Sequence, residues 1–250
     1  MSTLQGKTAL ITGGNSGIGY ATALEFISKG ARVVITGRNA AAVKEAADKL
    51  GHGTIGLVAD QGNLAHIDQL AADVKERVGH LDVLFVNAGI ATFAPITLAT
   101  EEHYDSIMDI NVKGVFFTVQ KLLPLLRDGG SIILNASVMA QMGSPGSAVY
   151  SASKAALQSF VRVLASELSE RAIRINTLSP GPIETPIYGK LGMSDEQQAG
   201  MKSSVAGKVL LKRFGEAHEI AKAAVFLASP ESSYVNGTDL LVDGGAAVRQ

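Results

Sequence analysis

Along the chain, short and almost wholly apolar runs alternate with longer segments whose apolar residues recur at helical spacing. Seven runs have the length and branched content of strands: Thr8–Thr12, Arg32–Thr36, Thr54–Ala59, Asp82–Val86, Ser131–Asn135, Arg174–Leu178 and Asp239–Val242. Several are apolar at consecutive positions, which predicts strands buried on both faces, as in a parallel sheet covered by helices. Helical periodicity fills the intervals, at residues 19–28, 40–50, 66–78, 100–126, 149–169 and 216–229. The longest of these opens on Thr100, an N-cap residue followed by Glu101 and Glu102, and meets Pro124 near its end. Strand alternating with helix predicts one α/β domain over residues 1–250, a Rossmann-type doubly wound parallel seven-stranded sheet with helices on both faces. The stretch from Ile183 to about Arg213 has weak periodicity and reads as a mobile substrate lid.

Composition narrows the class. A chain of 250 residues, 46% hydrophobic, buries a full core in one domain. The formal net charge is −1 with no run of Lys or Arg, which argues against nucleic acid or an anionic membrane as a partner. The absence of cysteine excludes disulfides, thiolate-bound zinc and thiol nucleophiles. Its five histidines lack ligand spacing, so no metal is expected. No apolar run approaches a membrane span and the start lacks a signal core, so a cytoplasmic protein is the expectation.

The first strand runs through Thr12 into Gly13-Gly-Asn15-Ser16-Gly17-Ile18-Gly19 and then a helix. Backbone N–H groups at such a turn, with the positive end of the helix dipole, form a phosphate site, and the glycines admit a pyrophosphate. The Gly-xxx-Gly-x-Gly spacing is a variant of the dinucleotide fingerprint, and taken alone it is also compatible with a plain glycine turn. At the end of the second strand an acidic residue would hold a ribose 2′-hydroxyl. Gly37 and Arg38 stand there instead, and Arg38 either pairs with a 2′-phosphate or simply ends a strand in solvent. Asp60 and Asn87-Ala88-Gly89 follow the third and fourth strands, at the sheet edge where ligands bind. Ser137 lies just past the fifth strand, and Tyr150 and Lys154 share one helix face at i, i+4. A phenol has an ordinary pKa of about 10, which a neighbouring ammonium would lower, and a serine hydroxyl can orient a substrate oxygen. Tyr-x-x-x-Lys by itself is also a common surface pair.

Together, the glycine turn, seven alternating strands, Asp60, Asn87-Ala88-Gly89, Asn111, Ser137, Tyr150, Lys154 and Pro180-Gly181 resemble the short-chain dehydrogenase/reductase family over essentially the whole chain. The resemblance implies Tyr150 as general acid/base, Ser137 as the carbonyl-orienting hydroxyl, Lys154 as the cation that lowers the phenol and holds the nicotinamide ribose, and Asn111 as anchor of a relay water. It also implies that Asp60 holds the adenine, Asn87 the adenosine side, and Ile183 with Thr185 the nicotinamide carboxamide. Ala136 departs from the serine many members carry. The C-terminal half looks most like bacterial NADPH-dependent alcohol dehydrogenases acting on ketones. Gln250 is similar to the terminus of members that bind magnesium there, but nothing upstream supplies a ligand set. The implied assembly is a symmetric homotetramer, with a dimer as alternative.

The expected function is therefore an NADP(H)-dependent oxidoreductase interconverting ketones and secondary alcohols. A β-ketoacyl carrier protein reductase and a sugar dehydrogenase are the enzymatic alternatives. A dinucleotide-binding sensor is the non-enzymatic one, although a sensor has no need of Ser137, Tyr150, Lys154 and Asn111 together. Met139, Met142, Ile183, Ile187, Tyr188 and Leu191 should give the pocket apolar walls. Acyl carrier protein would need a basic docking patch, for which Lys202, Lys208, Lys212 and Arg213 are the candidates.

Overall fold

The computed structural model describes residues 3–185 and 194–248; Ile187, Tyr188, Leu191 and Gln250 fall outside them. The strands are β1 (Thr8–Ile11), β2 (Arg32–Gly37), β3 (Ile55–Val58), β4 (Leu81–Val86), β5 (Leu126–Asn135), β6 (Arg174–Pro180), β7 (Ile183–Glu184), β8 (Gly215–Glu216) and β9 (Asp239–Val242). Seven of them form one parallel sheet in the order β3-β2-β1-β4-β5-β6-β9, as the apolar runs predict, while β7 and β8 pair separately. The order reverses between β1 and β4, and a cleft opens at the carboxyl ends of strands at such a point.

Consecutive apolar residues go to opposite faces. Ala9, Ile11, Val33, Ile35, Val83 and Phe85 pack with Phe26, Ile220 and Ala224, which belong to helices α1 (Gly17–Ser28) and α8 (Ala217–Ala228). Leu10, Val34, Leu84, Val86, Ile132 and Leu134 point the other way, toward Leu70, Val74, Leu157 and Val161 of α3 (Leu64–Arg77) and α6 (Ala148–Glu167). Each large side chain so buried contributes about 1.5–3 kcal/mol, so neither phase of a strand tolerates a polar residue without a partner. Helix α2 (Ala40–Leu50) covers the β2–β3 edge from an Asn39 cap, whose side chain accepts from the Ala42 N–H.

The segment 100–126 is not the single helix its periodicity suggests. It consists of α4 (Glu101–Met108), a π-helical turn (Asp109–Lys113), α5 (Gly114–Leu122) and a 3₁₀ turn over Leu123–Leu125 that contains Pro124; Leu126 already belongs to β5. Its buried residues Ile107, Asn111, Val115 and Val119 recur every fourth position. In a pure α-helix, at about 100° per residue, such a row drifts by roughly 40° per step. The wider π turn offsets that drift and keeps all four on the buried side of the segment.

The expected lid contains regular structure. Helix α7 (Asp195–Lys208) starts from a capping box in which Ser194 Oγ accepts from the Gln197 N–H (3.2 Å) and Gln197 Oε1 from the Ser194 N–H (2.9 Å). Ile183, by contrast, is core, pressed against Gly215 of β8.

Helical glycines differ in what a methyl group would meet. At Gly114 a Cβ would land on the backbone carbonyl oxygen of Gln61, whereas at Gly200 in α7 nothing lies within 4 Å. Gly114→Ala should therefore destabilise the protein by about 1–3 kcal/mol through backbone displacement, and Gly200→Ala should stabilise it by up to about 1 kcal/mol through helix propensity. Urea denaturation of the two variants checks the opposite signs.

Candidate active site

The cleft is assembled from the carboxyl ends of β1, β4 and β5. Thr12, just after β1, is a hub: its hydroxyl accepts the backbone N–H groups of Asn87 (3.0 Å) and Ala88 (2.9 Å) and donates to Gln61 Oε1 (3.0 Å). Asn87 Nδ2 returns a bond to the Thr12 carbonyl (3.0 Å), and its Oδ1 accepts from Asn135 Nδ2 (2.9 Å). The Asn135 backbone carbonyl accepts from Lys154 Nζ (2.7 Å). One continuous polar chain thus runs from the glycine turn to the helix that carries Tyr150.

The glycine turn suits a phosphate. Gly13 and Gly17 have φ of 65° and 54°, where a side chain would be strained, and a Cβ at Gly13 would crowd Ala88 and the Asn87 amide. A Cβ at Gly19 would strike the Gly13 carbonyl. Ser16 is the N-cap of α1 but its side chain makes no capping bond, and no acidic residue sits in the first turn with Ile18. The first N–H groups of α1 are therefore left to a ligand, and the helix dipole favours an anionic one. Asn135 Oδ1 adds a buried acceptor with no partner among the described residues. These features fit a dinucleotide along the β1–β4 switch point.

Across the neighbouring strand ends, Gly37 is buried against Asn15, and Arg38 is exposed with no hydrogen-bond or ion-pair partner among the described residues. Asp60, after β3, turns one carboxylate oxygen to the Gly62 N–H (2.9 Å). On the other side of the cleft Pro180 ends β6, and a Cβ on Gly181 would strike the Asp243 backbone. The Ile183 side chain is in the core, so only its backbone can serve a ligand, while Thr185 is half-buried beside it.

Ser137 follows β5 and caps a 3₁₀ turn, its hydroxyl accepting from the Met139 N–H (3.2 Å). That hydroxyl also stands near the Tyr150 phenol and favours its ionised form. Lys154 Nζ lies 5.8 Å from the Tyr150 ring centre. Burial pushes the Lys154 ammonium down to about 8. For Tyr150 the balance differs from the sequence expectation: burial raises the phenol above its ordinary value, and the Ser137 hydroxyl only partly offsets this. Lys154 is turned toward the Asn135 carbonyl and is itself desolvated, so it does not dominate the phenol's titration.

Asn111, fully buried in the π turn, grips the backbone of Ile90: its Oδ1 accepts from the Ile90 N–H (2.9 Å) and its Nδ2 donates to the Ile90 carbonyl (2.9 Å) and to Ser153 Oγ (3.2 Å). Ser153 in turn donates to the Tyr150 carbonyl (2.6 Å). A Cβ on Gly89 would crowd Asn111 Oδ1 at 3.1 Å and reach ordinary contact with Lys154 Nζ at 3.5 Å, so glycine leaves space between these two groups.

Four residues of this network escape a sequence reading: Gln61, Asn135, Ser153 and Asp239. Gln61 is buried and donates to the Ala88 (2.8 Å) and Ile110 (3.1 Å) carbonyls, joining the Thr12 hub to the π turn. Its signal was a polar residue just past an apolar run, which a loop explains equally well. Ser153 was visible only as a small residue within Tyr-Ser-Ala-Ser-Lys.

Known proteins resemble this chain in sequence and fold. Residues 13–247 match the sequence model of a family described as enoyl-(acyl carrier protein) reductase. The oxidoreductase asL5 of Sarocladium schorii is 41% identical over 98% of this chain and 97% of its own length. The 3-oxoacyl-[acyl-carrier-protein] reductase FabG of Thermotoga maritima is 37% identical over 98% of this chain and 99% of its own. Among solved structures, a short-chain dehydrogenase/reductase of Serratia marcescens superposes with a TM-score of 0.90 at 30% identity, covering 98% of this chain and 99% of that one. A metagenomic blue fluorescent protein in complex with NADPH does so at 0.90 and 33% identity, with the same coverage.

The buried ammonium has a measurable consequence. With Lys154 held at about 8, the folded state binds fewer protons than the unfolded state between about pH 8 and the ordinary lysine value. Stability contributed at this position therefore rises with pH across that window. Relative to Lys154→Met, the wild type should gain up to about 3 kcal/mol between pH 8 and 10.5. Denaturation of both proteins at several pH values checks the slope; a difference independent of pH contradicts it.

Proposed function

The chain belongs to the short-chain dehydrogenase/reductase family of oxidoreductases, and on that premise we propose that it reduces ketones to secondary alcohols with NADPH, reversibly. The observation that carries this reading is the buried Tyr150 phenol beside the Ser137 hydroxyl, with the Lys154 ammonium 5.8 Å from the ring centre. Ser137 and Tyr150 would hold the carbonyl oxygen between two hydroxyls, and Tyr150 would donate its proton to that oxygen. A phenol raised by burial stays protonated at neutral pH, which suits donation and hence reduction. When bound, the cofactor supplies the hydride that the carbonyl carbon accepts. Lys154 would stabilise the phenolate left behind and hold the nicotinamide ribose. The Asn111 side chain is already engaged with Ile90 and Ser153, so a relay water would fall to its backbone carbonyl.

The turn from Gly13 to Gly19 would bind the pyrophosphate, Asp60 the adenine, Asn87 the adenosine side, and Ile183 with Thr185 the carboxamide. Gly37 offers no carboxylate to repel a 2′-phosphate, and Arg38 is free to pair with one. The NADPH-bound metagenomic structure supports the same choice.

Substrate class follows from the walls. Phe93, half-exposed, stands edge-on to the Tyr150 ring at 5.6 Å. Beside the start of α6 a cavity of about 470 Å³ is lined by Pro95, Ile96, Met142 and Pro145. This favours an apolar ketone over a sugar. The Thermotoga relative makes a β-ketoacyl thioester the second reading. Against a carrier-protein dock, Lys202 is paired with Glu184, and Arg213 donates twice to Glu219, so two of the four candidate basic residues are neutralised. A lid over residues 183–213 would close this side.

Tyr150→Phe should bind NADPH normally yet lose turnover by about two orders of magnitude or more with any active ketone. Turnover above about a tenth of wild type overturns the assignment and favours the sensor reading.

Arg38→Leu should raise the KM for NADPH about ten- to a hundredfold while sparing NADH, the worth of one charge-assisted pair. It tests cofactor choice more cleanly than Gly37→Asp, whose Cβ would have to displace Asn15 and Val43. A wild type with higher kcat/KM for NADH refutes the preference.

Exposed apolar residues on three helices, Tyr104, Phe116 and Val163, together with Leu241 on the last strand, support a homotetramer. Sedimentation at micromolar concentration should give four chains, and a monomer rejects it.

A further inference from the structure

Asp239 opens β9, paired to Thr177 of β6, and its carboxylate is an acceptor of unusual load. Oδ1 takes the hydroxyls of Thr177 (2.8 Å) and Ser179 (2.6 Å), and Oδ2 takes the side-chain amides of Gln141 (2.8 Å) and Gln158 (2.8 Å). Among the described residues no cation pairs with it. Only a carboxylate presents acceptors alone and can take all four donors at once; an asparagine would turn an N–H₂ toward two of them.

The two glutamines come from the two sides of the reacting pair. Gln141 closes the 3₁₀ turn that Ser137 opens. Gln158 lies one helical turn beyond Lys154 and two beyond Tyr150 on α6. The hydroxyl donors come from β6, which is built into the sheet beside β5. We propose that Asp239 is a positioning residue for catalysis, a clamp that fixes the Ser137 turn and the Tyr150–Lys154 helix to the sheet at the separation at which the Ser137 and Tyr150 hydroxyls can share one carbonyl oxygen. It touches no reacting atom. It acts through Gln141 and Gln158, and loosening either arm lets one hydroxyl drift from the other, which lowers turnover without disturbing the glycine turn on the far side of the cleft.

This inference rests on the catalytic reading of Ser137 and Tyr150, so Tyr150→Phe accompanies the series. Steady-state kinetics with NADPH and the best ketone from a panel are measured for Gln141→Ala, Gln158→Ala and Asp239→Ala, and for each glutamine change combined with Asp239→Ala. Misplacement of reacting groups by a fraction of an ångström to one ångström supports an expected fall in kcat of about ten- to a hundredfold in Asp239→Ala. Each glutamine variant should lose part of that, with KM for NADPH within about twofold of wild type. In the Asp239→Ala background neither glutamine change should lower kcat further, because the arm is already cut. Since Asp239→Ala also removes the acceptor of the Thr177 and Ser179 hydroxyls between β6 and β9, Gln141→Ala, at an exposed position, is the deciding variant. Wild-type kcat in both glutamine variants, or strictly additive losses in the doubles, overturns the clamp. An active Tyr150→Phe overturns the catalytic reading instead, and the two failures are distinct.

Discussion

A single hydroxyl, that of Thr12, sits where three strands of the sheet must end in register. Parallel strands entering from separate βα units have no turn to fix their carboxyl ends relative to one another. The ladder hydrogen bonds and the apolar cores on both faces hold the strands in register but do not position the segments that leave their carboxyl ends. Thr12 supplies the missing constraint by accepting two successive N–H groups from the end of β4 and donating to Gln61. Asn87 and Asn135 extend it to β5 and to Lys154. Losing the hydroxyl would orphan two buried amides, each worth about 1–3 kcal/mol, so the same contacts that stabilise the fold align the cleft.

Two titratable groups are buried at the far end of that chain, and burial acts on them oppositely. It disfavours the ammonium of Lys154 and the phenolate of Tyr150, bringing the one down to about 8 and the other up. Charge in this pocket is costly in either form, which makes the site responsive to whatever charge a ligand brings into it. A positive charge nearby would favour the phenolate, and a protonated phenol suits donation before that.

Specific binding and broad docking make different demands, and the charged residues are arranged for the former. Arg38 is exposed with no partner among the described residues, whereas Lys202 and Arg213 are tied to Glu184 and Glu219. Surface pairs of that kind add little stability, a median of about 0–1 kcal/mol. Their consequence is that two of the basic residues over 202–213 carry no unpaired charge, while the cavity beside the start of α6 is lined by Pro95, Ile96, Met142 and Pro145.

The strands, their parallel arrangement and the position of the glycine turn were legible in the sequence, because burial on two faces leaves an apolar run and a phosphate turn needs glycine at fixed spacing. Tyr150 and Lys154 on one helix face follow from the 3.6-residue repeat alone. Asn111 was visible as a polar residue in a helical pattern, but not the π turn that holds it, since one inserted residue changes phase by an amount that apolar periodicity tolerates. Gln61, Asn135 and Asp239 gave no usable signal. Their partners lie 19 to 98 residues away along the chain, on elements that meet only when the sheet closes. The direction of the Tyr150 shift was decided in the same way, by how deeply α6 packs against the Ser137 turn. Periodicity records which face of an element is dry; which polar atoms meet at the dry ends is a property of the assembled fold.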